Sequence, residues 1–407
     1  MTSAELTASD PPLPRPFGPY TLFDRVGRGG MAEIFLARER GELGAARLVV
    51  VKQMLPELAS SPDFAAMLIA EAKLAARLRH GNVAQVFDLG RHDGLLFIAM
   101  EYVEGLDLGD LLRRCTRQHL ALPAEFGLHI VTEMLRGLEH AHRCPGDDGE
   151  PIGLVHRDVS LSNVLVSFEG EVKLCDFGIA HANESGAAPT GAIQGKAGYM
   201  APEQARGEPL DARADVFAAG IVLWELLAGR RYYRASEGQS LLEIARQASF
   251  KPLPASDLPH HDQLALIVAR ALDSDRTARY PSAQAMRRDL EGYATRAGLV
   301  SSSLRLGAWV REHFADATVE RRHRRERVLQ ALDLGPALVM TPIAAAVAEK
   351  QPESLAHREP PASLDVAPVA TSVAAPATVA GGGQRWVRVA AMTALLVLVA
   401  LMAYRLR

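Results

Sequence analysis

His156-Arg157-Asp158-Val159-Ser160-Leu161-Ser162-Asn163, with Asp176-Phe177-Gly178 shortly downstream, is the stretch on which the reading of this chain turns. Asn163 stands five residues after Asp158, so two carboxylates and a carboxamide are brought towards one point. Hard oxygen ligands of this kind suit Mg²⁺ together with the oxygens of a triphosphate. Gly153 to Ser167 reads as strand, loop, strand, and Val172-Lys173-Leu174-Cys175 as a further strand ending at Asp176. Asp158 would accept or orient a substrate hydroxyl, while Asn163 and Asp176 would bind the metal. Asp and Asn are also common turn residues, so no one of them decides the matter; their order and spacing together do.

Upstream, Phe23 to Arg38 reads as strand, glycine turn, strand. Gly27, Gly29 and Gly30 would let backbone amides approach phosphate oxygens with no side chain between. A glycine hairpin can equally be only a turn. A dinucleotide-binding reading fails because a strand-like run follows these glycines rather than a helix. Leu48-Val49-Val50-Val51-Lys52 is an apolar strand ending in a lysine. Phe64, Met67, Leu68, Leu74, Ala75 and Leu78 then fall on one helical face, and Glu71 shares it. A carboxylate on a core-facing stripe is costly unless paired. Lys52 is a suitable partner, and the pair could hold the α- and β-phosphates of a nucleotide.

Taken together, these motifs make the chain resemble a eukaryotic-type (Hanks-type) bacterial serine/threonine protein kinase. Further matches carry the resemblance. Arg79-His80-Gly81-Asn82-Val83 is similar to the turn after the family's helix C. Met100-Glu101-Tyr102-Val103 is similar to its gatekeeper and hinge, and Tyr199-Met200-Ala201-Pro202-Glu203 to the end of its activation segment. Asp215 opens a stretch similar to the buried helix that anchors the catalytic loop, and Arg279 resembles the arginine that pairs with Glu203. The resemblance implies an α+β, bilobal protein-kinase fold with a β-rich N-lobe and a mainly helical C-lobe. It implies ATP and Mg²⁺ as cofactors. ATP would be held by Val26, Gly27, Arg28, Gly29, Gly30, Ile34, Val50 and Lys52, with backbone groups of Glu101 and Val103 at the adenine. It also implies protein substrates, and autophosphorylation in trans with Thr190 first and Ser185 second, whereas Tyr199 is expected to pack.

Departures from the family pattern are informative. Ala32 replaces the third loop glycine, and Val50 replaces the alanine before the nucleotide lysine. Ser160 replaces the lysine that such kinases carry near the γ-phosphate, and Lys196 stands where a threonine is usual. One reading is that the two positions have traded roles, so that Lys196 joins Asp158, Lys52 and Glu71 in the catalytic set. The other is that Lys196 is a solvated loop residue. The gap at Ser160 also keeps a membrane-tethered pseudokinase scaffold in play. Retention of Lys52, Asp158, Asn163 and Asp176 speaks against that scaffold, and the intact YMAPE segment against a small-molecule phosphotransferase.

The rest of the chain frames this domain. Its 407 residues carry a formal net charge of -3, which names no partner and gives no sign of nucleic-acid binding. Three cysteines without CxxC spacing (Cys115, Cys144, Cys175) argue against a disulfide framework or a zinc site. Cys175 reads as a small core residue. Residues 1–19 read as a disordered Pro-rich lead-in without a signal peptide. Residues 20–294 form the kinase domain, with the N-lobe at 20–103 and the C-lobe at 104–294. A basic helical extension follows at 295–335, its arginines near 321 reading as a solvated face, and then an Ala/Pro/Gly-rich linker at 336–384. Residues 386–404 end in the uncharged run Val389 to Tyr404. As a helix they would be about 28 Å long, close to a bilayer's ~30 Å hydrocarbon core. They are expected to form a single transmembrane helix, placing the protein at the cell membrane with a cytoplasmic kinase domain. A buried or interfacial helix is the alternative.

Overall fold

A computed structural model describes residues 12–40, 46–56, 62–146, 148–177, 197–236 and 238–314, together with Val319 and Glu326. The chain divides into Met1–Leu338 and Val339–Arg407, and the second unit lies wholly outside the described residues. All but the first three residues of the linker, and the segment 386–404, fall there. Among the described residues no helix is long and apolar enough to cross a membrane.

The first lobe is a six-stranded antiparallel sheet in the order β1-β2-β3-β4-β6-β5. Its strands are β1 (Arg15–Phe17), β2 (Tyr20–Arg28), β3 (Ala32–Arg40), β4 (Ala46–Met54), β5 (Val86–His92) and β6 (Leu95–Glu101). Side-chain alternation gives this sheet two faces. Val49 and Val51 of β4, with Phe97 and Ala99 of β6, are buried in an outer cluster with Phe17, Tyr20 and Phe35. Met54, Ile98 and Met100 have the opposite parity and join the main core. Val50 and Lys52 share that parity, so Lys52 is aimed to the inner side. Helix α1 (Pro62–Arg77) covers the inner side with Ala65, Leu68, Ala72 and Ala75, at helical spacing.

Within residues 12–19 the outer cluster corrects the expectation of disorder, while residues 1–11 lie outside the described residues. Arg15–Phe17 pairs with β2 through Arg15↔Leu22 and Phe17↔Tyr20. The Phe17 ring is fully buried, 5.4 Å from Phe97 in an edge contact, and Tyr20 packs on the same ring at 5.7 Å. Two buried aromatics outweigh the extended bias of the surrounding prolines, so the sheet begins before residue 20.

The second lobe is mainly helical. A three-stranded sheet, β7 (Gly105–Asp107), β8 (Val164–Ser167) and β9 (Val172–Leu174), lies beside α2 (Leu108–Arg117) and α3 (Ala124–His142). It is followed by α4 (Pro202–Ala205), α5 (Ala212–Ala228), α6 (Leu241–Gln247), α7 (His261–Ala271), α8 (Ala283–Arg296) and α9 (Ser303–His313). Helix α5 is buried over nearly its whole length, as its all-apolar sequence requires. Asp211 caps its start by accepting from Arg213 N–H, and Gly229 ends it in the left-handed region at φ 64°.

Helix α9 lies within the expected 295–335 extension, whose first two residues still belong to α8. It starts only at Ser303, because Gly298 turns the chain at φ 68° and Ser302 caps the new helix. It docks backbone to backbone on the β8–β9 turn. A Cβ on Gly307 would overlap the Glu169 carbonyl, and one on Gly170 would overlap the Ser303 carbonyl. Arg311 Nη1 donates to Phe168 O at 2.6 Å and meets Glu169 Oε2 at 2.7 Å. Gly307→Val should therefore push α9 off this hairpin and cost roughly 2 kcal/mol or more. Urea unfolding checks this, and an unchanged midpoint would show that the close approach is not needed.

Candidate active site

The central loop is held by a buried carboxylate rather than by a sheet. Gly153 to Val155 was expected as a strand, but no strand forms there. Asp215, 1% exposed, instead takes the loop's amides: Oδ2 accepts from His156 N and Oδ1 from Arg157 N, each at 2.8 Å. His142 Nε2 lies 2.7 Å from Asp215 Oδ2. Burial works against the charge, yet these donors hold the Asp215 carboxyl below the usual carboxylate range. Arg157 is thereby fixed at φ 65°, a conformation that a side chain rarely adopts unless its surroundings impose it.

His156 carries the constraint forward. It is fully buried; Nδ1 accepts from Asp158 N at 3.3 Å, which makes Nε2 the protonated nitrogen facing Cys175 O at 3.1 Å. Its ring also packs on Phe177 at 4.3 Å. One histidine thus ties the Asp158 loop to the segment bearing Asp176. Asn163 completes the tie. Its Nδ2 donates to Asp158 O and to Asp158 Oδ2, both at 2.8 Å, and its own carbonyl accepts from Cys175 N at 3.0 Å. The amide orientation turns Nδ2 onto Asp158 and leaves Oδ1 as the carboxamide atom suited to a cation.

Across the cleft, Lys52 Nζ stands 2.9 Å from Asp176 Oδ1. Burial alone would lower the Lys52 pKa, but the Asp176 carboxylate, with Asp158 nearby, raises it above the usual lysine range. Asp176 itself sits at φ 62°. Lys52 was expected to meet Glu71; it meets Asp176. Glu71 is half-buried on α1, on the helix whose Leu68, Ala72 and Ala75 enter the core.

The glycine turn between β2 and β3 is closed by Gly29 N donating to Ala32 O at 2.9 Å. A Cβ on Gly27 or Gly29 would meet no protein atom closer than 3.8 Å, and neither residue has positive φ. Internal packing and backbone strain therefore give no reason for glycine at these two positions, whereas an approaching ligand would. Val26, on the same hairpin, is 59% exposed. Arg28 reaches Glu33 at 3.7 Å, and Ile34 pairs with Lys52 across β3 and β4. At the other end of β4, Val50 pairs with Met100 and Val49 with Glu101. The Glu101 amide donates to Gln85 O at 2.8 Å, so that group is already taken within the protein. The segment from Glu101 to Val103 leads directly into the second lobe.

Three contacts were not foreseen from the sequence. Lys173, inside β9, pairs with Glu101 at 2.9 Å and clamps the interlobe segment to the β8–β9 hairpin. A charge inside an apolar strand was the available signal. His142 at the end of α3 had none. The third is Glu225, 4% exposed, which accepts from Tyr199 OH at 2.8 Å and Arg231 Nη1 at 3.1 Å. Tyr199 packs as expected. Burial, with Asp176 adjacent, pushes the Cys175 thiol well above its ordinary value, so it is no reactive thiolate. Ser160 is buried, its Oγ 3.1 Å from Ser162 Oγ. Gly178, Ser185, Thr190 and Lys196 lie outside the described residues.

Expected and found also agree at Glu203 and Arg279. Arg279 Nη1 and Nη2 reach Glu203 Oε1 and Oε2 at 2.6 and 2.8 Å, in a buried fork-to-fork pair. Residues 20–290 match the family described as the protein kinase domain. The chain is 40% identical over 317 residues to the Tyrosine-protein kinase MasK of Myxococcus xanthus, covering 77% of this chain and 49% of that one. It is 34% identical to the Serine/threonine-protein kinase PknB of Mycobacterium leprae, covering 67% of this chain and 42% of that one. The chain thus spans half or less of the length of these curated relatives. The crystal structure of the Mycobacterium tuberculosis PknI kinase domain superposes with a TM-score of 0.52 at 29% identity, covering 69% of this chain and 98% of that one. A match running from β2 into α8, over well more than half of its length, means that this chain belongs to the protein kinase family.

Proposed function

We propose that the chain transfers the γ-phosphoryl group of ATP to serine and threonine hydroxyls of proteins. The observation that carries this is the convergence of Lys52 on Asp176 and of Asn163 on Asp158 at one end of the interlobe cleft. The substrate hydroxyl oxygen attacks the γ-phosphorus, the bond to the β-phosphate oxygen breaks, ADP leaves, and the hydroxyl proton passes to Asp158. Asn163 holds that carboxylate through Oδ2 and so orients Oδ1. Lys52, set by Asp176, would hold the phosphates. The amides at Gly27, Gly29 and Gly30 would line their path, with Val26 and Val50 against the base and the backbone at Glu101 and Val103 at its edge. Asn163 Oδ1 and the Asp176 carboxylate form an oxygen pair suited to Mg²⁺. When bound, that ion neutralises charge on the phosphates. Catalysis is then positioning and electrostatics.

The choice of hydroxyl is open to a second reading, because MasK is named a tyrosine kinase while PknB of M. leprae and PksC of Streptomyces coelicolor are named serine/threonine kinases. Phosphoamino-acid analysis of protein substrates after reaction decides it: phosphoserine and phosphothreonine are expected, and phosphotyrosine alone would overturn the proposal. Gly29→Val should raise KM for ATP by about fivefold to tenfold, the worth of one lost amide contact, with the melting temperature kept. An unchanged KM would put the phosphates elsewhere.

The same reading extends to residues outside those described. Lys196 supplies the phosphate-facing cation that Ser160 lacks, so Lys196→Met should lose roughly a hundredfold in turnover; wild-type turnover would remove it from the site. Thr190, then Ser185, would be the autophosphorylation sites, and residues 386–404 would tether the kinase domain to a membrane. Mass spectrometry of the active protein, and partitioning with and without residues 385–407, test these two points.

A further inference from the structure

Two cavities on the second lobe share one guanidinium, that of Arg231. The first, of about 520 Å³, is walled by Ser160, Leu161 and Ser162 on one side and by Gly198 and Tyr199 on another. Ser160 is two residues from Asp158. An extended polypeptide rising about 3.3 Å per residue therefore enters this cavity within a few residues of a hydroxyl presented to Asp158.

The lining of that cavity carries two carboxylates, Asp107 and Glu225, and two guanidiniums, Arg113 and Arg231, which differ in what they offer a peptide. Its buried carboxylate, Glu225, is occupied internally: Oε1 accepts from Tyr232 N at 2.9 Å, and Oε2 accepts from Tyr199 OH and from Arg231 Nη1. Arg231 also donates to Tyr199 OH. An incoming basic side chain would thus find Glu225 already covered by this protein's own arginine. The other carboxylate, Asp107, caps α2 by accepting from Asp110 N at 2.8 Å. Turned towards solvent are Arg113, 63% exposed, and Arg231, 55% exposed.

Beyond Arg231 the second cavity, of about 450 Å³, is walled by Arg230, Arg234 and Lys251 over Trp224 and Pro252. No carboxylate is among the described residues that line it. Arg230 lies over the Trp224 ring at 5.6 Å, and Lys251 Nζ donates to Tyr232 O at 2.6 Å, so both cations are held at the cavity wall. Burial, and then the guanidiniums of Arg234 and Arg230, hold the Lys251 ammonium below its usual range, as expected of cations gathered without counter-charge.

We propose that these joined cavities are the docking site for a carboxylate-rich segment of the protein substrate, so that the hydroxyls phosphorylated by this chain are flanked by Asp or Glu. The proposal rests on the kinase reading for the placement of the hydroxyl, and on charge complementarity for the partner.

The test uses the full chain and fluorescent serine peptides whose flanks carry Glu, Ala or Arg. Both binding and turnover are measured, at low and at high salt. The Glu-flanked peptide should bind about tenfold or more tighter than the Arg-flanked one, with the difference appearing in KM and shrinking in salt. Arg230→Glu with Arg234→Glu should abolish or invert the preference, and Arg230→Lys with Arg234→Lys should retain it. Equal binding of the Glu and Arg peptides, or a preference untouched by the charge reversal, overturns the proposal. A chain that binds the Glu peptide selectively yet phosphorylates nothing would sustain docking while contradicting the kinase reading.

Discussion

Asp158→Asn should leave the protein folded and cut turnover by roughly a hundredfold to ten-thousandfold, the range set by loss of a positioned proton acceptor. Its fold is expected to survive because the loop is held by other groups. Asp215 takes the amides of His156 and Arg157, His156 bridges to Cys175 O, and Asn163 Nδ2 still donates to the backbone carbonyl of residue 158. What disappears is the carboxylate that Asn163 orients. KM for ATP should change little, since the Lys52–Asp176 contact does not itself involve residue 158. A matched fall in kcat and kcat/KM with an unaltered melting curve is the expected signature. A variant that keeps wild-type turnover would remove Asp158 from the chemistry.

Arg279→Met should have the largest effect on stability. Arg279 is 2% exposed and its fork faces Glu203, 4% exposed. It also donates through Nε to Asp273 O at 2.6 Å and lies over the Phe217 ring at 4.7 Å. Methionine fills much of the volume but leaves Glu203 as an unpaired buried charge. Breaking such a pair from one side costs about 3–5 kcal/mol, a large share of the ~5–15 kcal/mol that holds a domain together. Glu203→Leu combined with Arg279→Met removes both charges and should regain much of that loss. Chemical denaturation distinguishes the outcomes. A loss below about 1 kcal/mol in the single variant would show that the pair is not what fixes this corner.

Residues that act through their own local pattern were legible in the sequence. The glycine hairpin, the strand ending in Lys52, the helix bearing Glu71 and the all-apolar run after Asp215 each announce themselves by period or composition. The pairing of Glu203 with Arg279 came from family resemblance, and the geometry bears it out. Contacts between distant segments were less legible. Lys52 was matched to Glu71, the carboxylate on the core-facing stripe of α1, while its contact with Asp176 depends on how the hairpin β8–β9 is set against the first lobe. The absent strand at Gly153–Val155 has a related origin: a carboxylate from α5 takes the amides of His156 and Arg157 that follow it, and no local pattern encodes that. At the N-terminus, five prolines masked the signal of Phe17 and Tyr20, whose burial draws residues 15–17 into the sheet. Likewise nothing near Arg231 marks it as the cover of Glu225.

The most direct test incubates the full chain with γ-labelled ATP, Mg²⁺ and a mixed protein substrate, beside Asp158→Asn. Label recovered as phosphoserine and phosphothreonine from the unaltered chain, and lost with Asp158→Asn, is the result predicted here. No transfer by the unaltered chain, or transfer undiminished by Asp158→Asn, would contradict it.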